Sequence, residues 1–157
     1  MEKEYMTDVL MREKLRQVGE TEHRVARLKR RKKELKKTLE DVSLSAVQLG
    51  EKTSGGRRKD STGEKAVKRI DWQAEIDSID AEILRLLQER REVTHLMDLV
   101  LTEDENAVLT AKWIEGCRWD MVARRLHISR SSSFRISGNG LKKLVNAWNR
   151  RNRKSDG

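Results

Sequence analysis

Arg130, Ser131, Phe134 and Arg135 are the residues whose types and spacing place chemistry most directly in this chain. At helical spacing they share the outward face of a helix that begins near Arg130. An arginine in that place can form two parallel hydrogen bonds to a guanine edge. A serine hydroxyl can serve donor or acceptor, and a phenyl ring can touch a thymine methyl. Arg118, Arg124, Arg125, Lys142 and Lys143 flank this face and carry the charge that binds phosphates on either side. The pattern reads as recognition of double-stranded DNA, with four base-reading positions and five phosphate-binding ones.

The charge distribution agrees. The 157 residues carry 35 Lys and Arg against 26 Asp and Glu, a net of +9. Residues 116–157 hold 11 basic and 2 acidic side chains, so they account for the whole excess, and residues 1–115 balance. A neutral body with a strongly basic end is the pattern of a polyanion-binding module on a scaffold.

Other chemistry is not signalled. There is no phosphate loop, nucleophile elbow or paired metal motif, so no enzyme and no cofactor is expected. His23, His95 and His127 are scattered, and with Cys117 they lack zinc-ligand spacing. Cys117 beside Arg118 is read as a structural thiol at a helix end. No apolar run approaches a membrane span, and the first five residues lack an apolar signal segment. A single cysteine suits a reducing compartment, and the expected location is the cytoplasm.

Three helices must position the basic face. Thr102 and Glu105 have capping-box spacing, which starts the first. Leu109, Trp113 and Ile114 give it an apolar side, and Gly116 stops it. Trp119, Val122, Ala123 and Leu126 form a second short helix, with small Ala123 at a close crossing. His127, Ile128 and Ser129 make the turn, Ile128 plugging the core and Ser129 capping the third helix. That helix carries Phe134, Ile136, Leu141, Leu144, Val145 and Trp148. Trp113, Trp119 and Trp148 are read as core residues. A short helix, a three-residue turn and a basic helix make helix-turn-helix arithmetic. Gly138 and Gly140 fall inside the third helix and predict that it is short, or ordered only on DNA.

With 39% charged residues, 4% aromatic and no proline, the whole chain is expected to be all-α, built on long polar-faced helices. Val25, Leu28, Leu35, Leu39 and Val42 follow a four-three spacing, as do Trp72, Ile76, Ile79, Ile83, Leu86, Val93, Met97 and Val100. Lys32 and Arg90 interrupt the two stripes. Residues 50–64 hold four glycines and no apolar side chain, and read as a flexible loop between the two segments. The expectation is a long antiparallel coiled-coil hairpin. Its register pairs Val42 with Ile76, Leu39 with Ile79, Leu35 with Ile83 and Val25 with Val93, and a slip of one heptad fits the same stripes. Lys32 then lies along Leu86, and Arg90 along Leu28. A helix ending before Gly19, with Met6, Val9, Leu10, Met11 and Leu15, supplies a third layer or meets a second copy of the chain. Residues 1–100 are thus a helical scaffold, 101–149 a helix-turn-helix domain and 150–157 a basic disordered tail. A homodimer through the scaffold is expected.

The stretch from Leu101 to Leu144 resembles region four of bacterial sigma factors. The matching residues are 101–105, Trp113 to Gly116, Trp119 to Leu126, Ile128 to Arg130 and Leu141 to Leu144. In overall architecture the chain is similar to ArpU/RinA-type late transcriptional regulators of Gram-positive phages and prophages. The resemblance implies sequence-specific binding at a promoter, activation of late genes and contact with host RNA polymerase. It assigns the base-facing places to Arg130, Ser131, Phe134 and Arg135. Against the sigma-type pattern, His127 stands where glycine is usual in the turn, and Ser133 where a β-branched apolar residue is common. Two other function classes fit the residues: a DNA-packaging accessory like a small terminase, and a coiled-coil adaptor that binds nucleic acid without sequence preference.

Overall fold

The computed structural model describes residues 4–50 and 61–155, and side chains there except at 45–50, 61–63 and 65. The fold is all-α. Helix α1 spans Asp8–Gly50 and α2 spans Ser61–Val100. They are followed by α3 (Glu103–Leu109), a π-helical segment (Thr110–Ile114), α4 (Trp119–Leu126) and α5 (Arg130–Lys154). No strand occurs among the described residues.

These bounds correct three sequence expectations. Both ends of the loop expected over 50–64 are helical, because α1 includes Gly50 and α2 starts at Ser61; residues 51–60 lie outside the described residues. The helix expected to end at Gly19 runs on without a break. The tail expected from residue 150 is helical to Lys154, since α5 continues through Gly138 and Gly140.

The chain forms two compact units, residues 1–22 with 87–157, and residues 23–86. The expected boundary at residue 100 does not divide the packing. In the first unit Met11, Leu15 and Val18 share a core with Val93, Leu96, Met97, Leu109, Leu141, Leu144 and Ala147. The amphipathic start of α1, expected as a separate third layer, is instead part of the same helix, and it packs with the end of α2 and the C-terminal helices. A second cluster joins Val108, Ala111 and Val122, flanked by Cys117, Trp119, Leu126, Ile128 and Ile136. Gly19 and Gly140 are small because the helices approach closely there. A Cβ on Gly140 would lie 3.0 Å from Leu109 Cδ1.

In the second unit Val25, Leu28, Lys32, Leu35, Leu39 and Val42 are the sheltered positions, and the residues between them are exposed. That is the period of 3.5 residues read from the sequence. Ile76, Ile79 and Leu86 are buried on α2. The ion pairs sit one heptad away from the expected register. Lys32 Nζ lies 2.6 Å from Asp80 Oδ1, level with Ile79 instead of Leu86. In the first unit, Arg90 Nη1 lies 3.7 Å from Glu22, beside Thr21 instead of Leu28. The shift has a physical reason: both interrupting cations now reach a carboxylate, whereas the expected register set each against a leucine.

Candidate nucleic-acid interface

Four helix ends shape the basic face, and each is set locally. Thr102 Oγ1 accepts from the Glu105 backbone N–H at 3.2 Å, and Glu105 Oε1 accepts from the Thr102 N–H at 2.9 Å. This is the capping box read from the sequence. Gly116 ends the following turn at φ +74°, where a side chain would strain the backbone. His127 takes the left-handed conformation, φ 56° and ψ 41°, and so does the work of the usual glycine. Ile128 then turns into the second cluster, its N–H bonded to the Ala123 carbonyl at 3.0 Å. Ser129 caps α5 by accepting from the Ser132 N–H at 3.0 Å. Ser133, fully buried in place of an apolar residue, satisfies its hydroxyl by donating to the Ser129 carbonyl at 3.0 Å.

Aromatic rings tie α4 to α5 and to the π-helical segment. Trp113 and Trp119 meet edge to face at 6.1 Å, and Trp119 and Phe134 lie 4.4 Å apart. Trp113 Nε1 donates to Ser137 Oγ at 3.2 Å. Lys112 sits 5.0 Å over the Trp119 ring and donates to the Cys117 carbonyl. The tryptophans are partly buried packing groups in this arrangement.

The four base-reading candidates lie together on the exposed first turns of α5. Arg130 is 62% exposed, with Nη1 3.4 Å from Asp120 and its guanidinium 5.6 Å over the Phe134 ring. Ser131 and Arg135 are exposed, and Arg135 makes no ion pair among the described residues. Phe134 differs from the expectation. It leans on Trp119 and is 46% exposed, so it braces the surface as well as presenting an edge.

The phosphate-binding candidates divide. Arg118, Arg124 and Lys142 are exposed and have no ion pair among the described residues. Arg125 pairs with Glu115, whose hydrogen bond raises the guanidinium pKa above its ordinary value, with smaller help from the nearby Cys117 and from Glu115's charge. Lys143 donates to Glu105 Oε1 at 2.7 Å. Burial raises the Glu105 carboxyl, but hydrogen bonds from Lys143 and Thr102 outweigh it and hold the pKa below the usual carboxylate range. Lys143 therefore braces the α3 cap against α5, a role that spacing alone does not show. The only sequence clue was the cap itself, which places a carboxylate at residue 105. Asp120 opposite Arg130 was also unmarked in the sequence.

The span from α3 through α5 lies inside a wider match. The chain belongs to the DUF722 family, proteins of unknown function. The family matches residues 18–146 of this chain, which takes in the whole α4–turn–α5 segment. No curated protein matches this DUF722 chain, and no solved structure does. Among its described residues no helix is long and apolar enough to cross a membrane, and no cluster of His, Cys, Asp or Glu is placed to hold a metal ion.

Proposed function

We propose that this protein is a sequence-specific DNA-binding transcriptional regulator. One observation carries the reading: α4, a three-residue turn and α5 present Arg130, Ser131 and Arg135 at an exposed helix start, beside Arg118, Arg124 and Lys142, which make no ion pair among the described residues. The order of helix, three-residue turn and helix supports a helix-turn-helix reading, in which the first turns of the second helix enter the major groove and flanking cations hold phosphates. The dipole at the N-terminus of α5 adds to the attraction for a phosphate. The similarity to sigma region four and to ArpU/RinA-type regulators supports activation of late phage genes, with host RNA polymerase as a partner. Leu87 and Leu99, exposed on α2, are apolar positions that a second copy of the chain would cover in a homodimer.

Selection of genomic DNA fragments by the purified protein at physiological salt, with mass measured on the same preparation, tests this. One enriched motif near promoters, lost on Arg130→Ala or Arg135→Ala substitution, is the expected result. Uniform, salt-sensitive binding with no motif would overturn it, and would favour an adaptor; a ring-sized assembly would favour a packaging accessory.

A further inference from the structure

We propose that α1 carries a second duplex-DNA surface, formed by Lys29, Arg30, Lys33, Lys36 and Lys37, which holds the phosphate backbone without reading sequence. This rests on the reading of the protein as a binder of double-stranded DNA. It concerns residues 23–86, a different compact unit from the one that holds α4 and α5.

Charge balance over residues 1–115 hides this surface. Residues 24–37 hold nine basic side chains and one acidic one, a local net of +8. The structure sorts eight of these nine cations into two groups, the exposed Arg27 belonging to neither. Arg24, Arg31 and Lys32 face carboxylates on α2: Glu82 feels the charge of Arg24, Arg31 pairs with Glu75, and Lys32 with Asp80. Those three serve the pairing of α1 with α2. Lys29, Arg30, Lys33, Lys36 and Lys37 are all exposed and make no ion pair with any described residue. At 100° per residue they occupy roughly a third of the helix circumference. A groove of about 640 Å³ runs among the lysine stems, with Glu40 at one end.

The chemistry of this face selects its ligand. From 29 to 37 the helix rises about 12 Å, which matches about three successive phosphates of one strand of B-DNA. Residues 26–40 contain no aromatic side chain, so there is no platform for unstacked bases of a single strand. Ala26 is the only exposed apolar residue among residues 26–40, too small to anchor in a membrane or to form the apolar centre of a protein interface. Four of the five cations are lysines, compact point charges that tolerate variation in phosphate position. A regular, rigid polyphosphate is what remains.

The test uses the full-length protein and a variant with all five residues changed to Gln, which preserves helix propensity. Binding is measured against salt concentration on a duplex lacking any selected motif and on the motif duplex. A benzophenone side chain placed at position 33 of the otherwise unaltered protein reports contact directly. The expected result is a log–log salt slope shallower by about 2.7 in the variant, three contacts at about 0.9 each, with the preference for the motif unchanged. Crosslinking to duplex from position 33 is also expected. An unchanged slope, or no crosslink from position 33, overturns the proposal, and motif selectivity then leaves the α5 reading standing. A slope change in a protein that enriches no motif does the reverse. It supports the α1 surface and removes the promoter reading.

Discussion

Gly19 on α1 lies against the end of the π-helical segment so closely that a Cβ there would sit 1.9 Å from the Ile114 carbonyl oxygen. Both residues belong to the unit that carries the basic face. In an exposed helix interior, alanine would gain up to about 1 kcal/mol over glycine. Here the neighbour is backbone and cannot rotate away, so the clash decides the sign. Gly19→Ala is expected to destabilise the protein by about 1–3 kcal/mol, read as a lower midpoint in urea. A stabilised variant would show that α1 does not dock on Ile114 in solution.

Gly138 and Gly140 share a helix and should respond in opposite ways. Nothing lies within 4 Å of a Cβ on Gly138, and nothing in the structure explains a glycine there. Gly138→Ala is expected to raise stability by about 0.5–1 kcal/mol. Gly140→Ala presses on Leu109 Cδ1 at 3.0 Å and on Glu105, which offsets the same gain. Thermal unfolding of the two single variants measures the contrast. Equal shifts would contradict the close packing of α5 on α3.

Acid should loosen the α3 cap. Glu105 has its folded pKa held below the unfolded value of about 4.3. Its contribution to stability is therefore complete above that value, and is lost as the pH falls through the folded pKa. Between pH 7 and pH 3 the Glu105→Gln variant should lose less stability than the unaltered protein. Denaturation midpoints across this range give the comparison; parallel curves would mean that the Lys143 bond does not persist in solution.

Base and phosphate contacts should separate in binding assays. Arg135→Ala is expected to cost about 1–3 kcal/mol on the preferred sequence and little on others. Lys142→Ala and Arg124→Ala should weaken binding to every sequence and reduce the salt slope by about 0.9 each. Lys143→Ala should instead act on stability, because its ammonium is already bonded to Glu105. A slope change from Lys143→Ala as large as that from Lys142→Ala would place Lys143 on the DNA side.

The turns were legible in the sequence because their signals are local. The Thr102 and Glu105 pair, the break at Gly116 and the Ser129 cap each lie within a few residues and take the expected form, while His127, a departure from the usual glycine, adopts the left-handed conformation all the same. The coiled stripes were equally plain, since their period survives a slip of seven residues. The slip itself was not legible. Apolar pairing is nearly the same in both registers, and the choice falls to Lys32 and Arg90 reaching Asp80 and Glu22. Gly19 and Gly140 misled for a related reason. Glycine weakens a helix locally, and only a distant partner, Ile114 or Leu109, shows why it is present. Among the candidate site residues, helical spacing correctly grouped the exposed start of α5. It could not foresee that Lys143 and Arg125 face carboxylates brought in by other turns.

Met6 and Asn149 bond reciprocally, the Met6 N–H to Asn149 Oδ1 at 2.9 Å and the Asn149 amide to the Met6 carbonyl at 3.1 Å. Met11 and Leu15 bury themselves against Leu141, Leu144 and Ala147, which follow them far along the chain. Residues 23–86 can pair while synthesis continues, but the unit with the basic face cannot close until α5 has been made. A chain cut short before α5 would leave part of the apolar stripe of α1 uncovered. The ordering of α5 is thus coupled to the start of α1, so a product that stops before α5 would lack the basic face and much of the core that supports it.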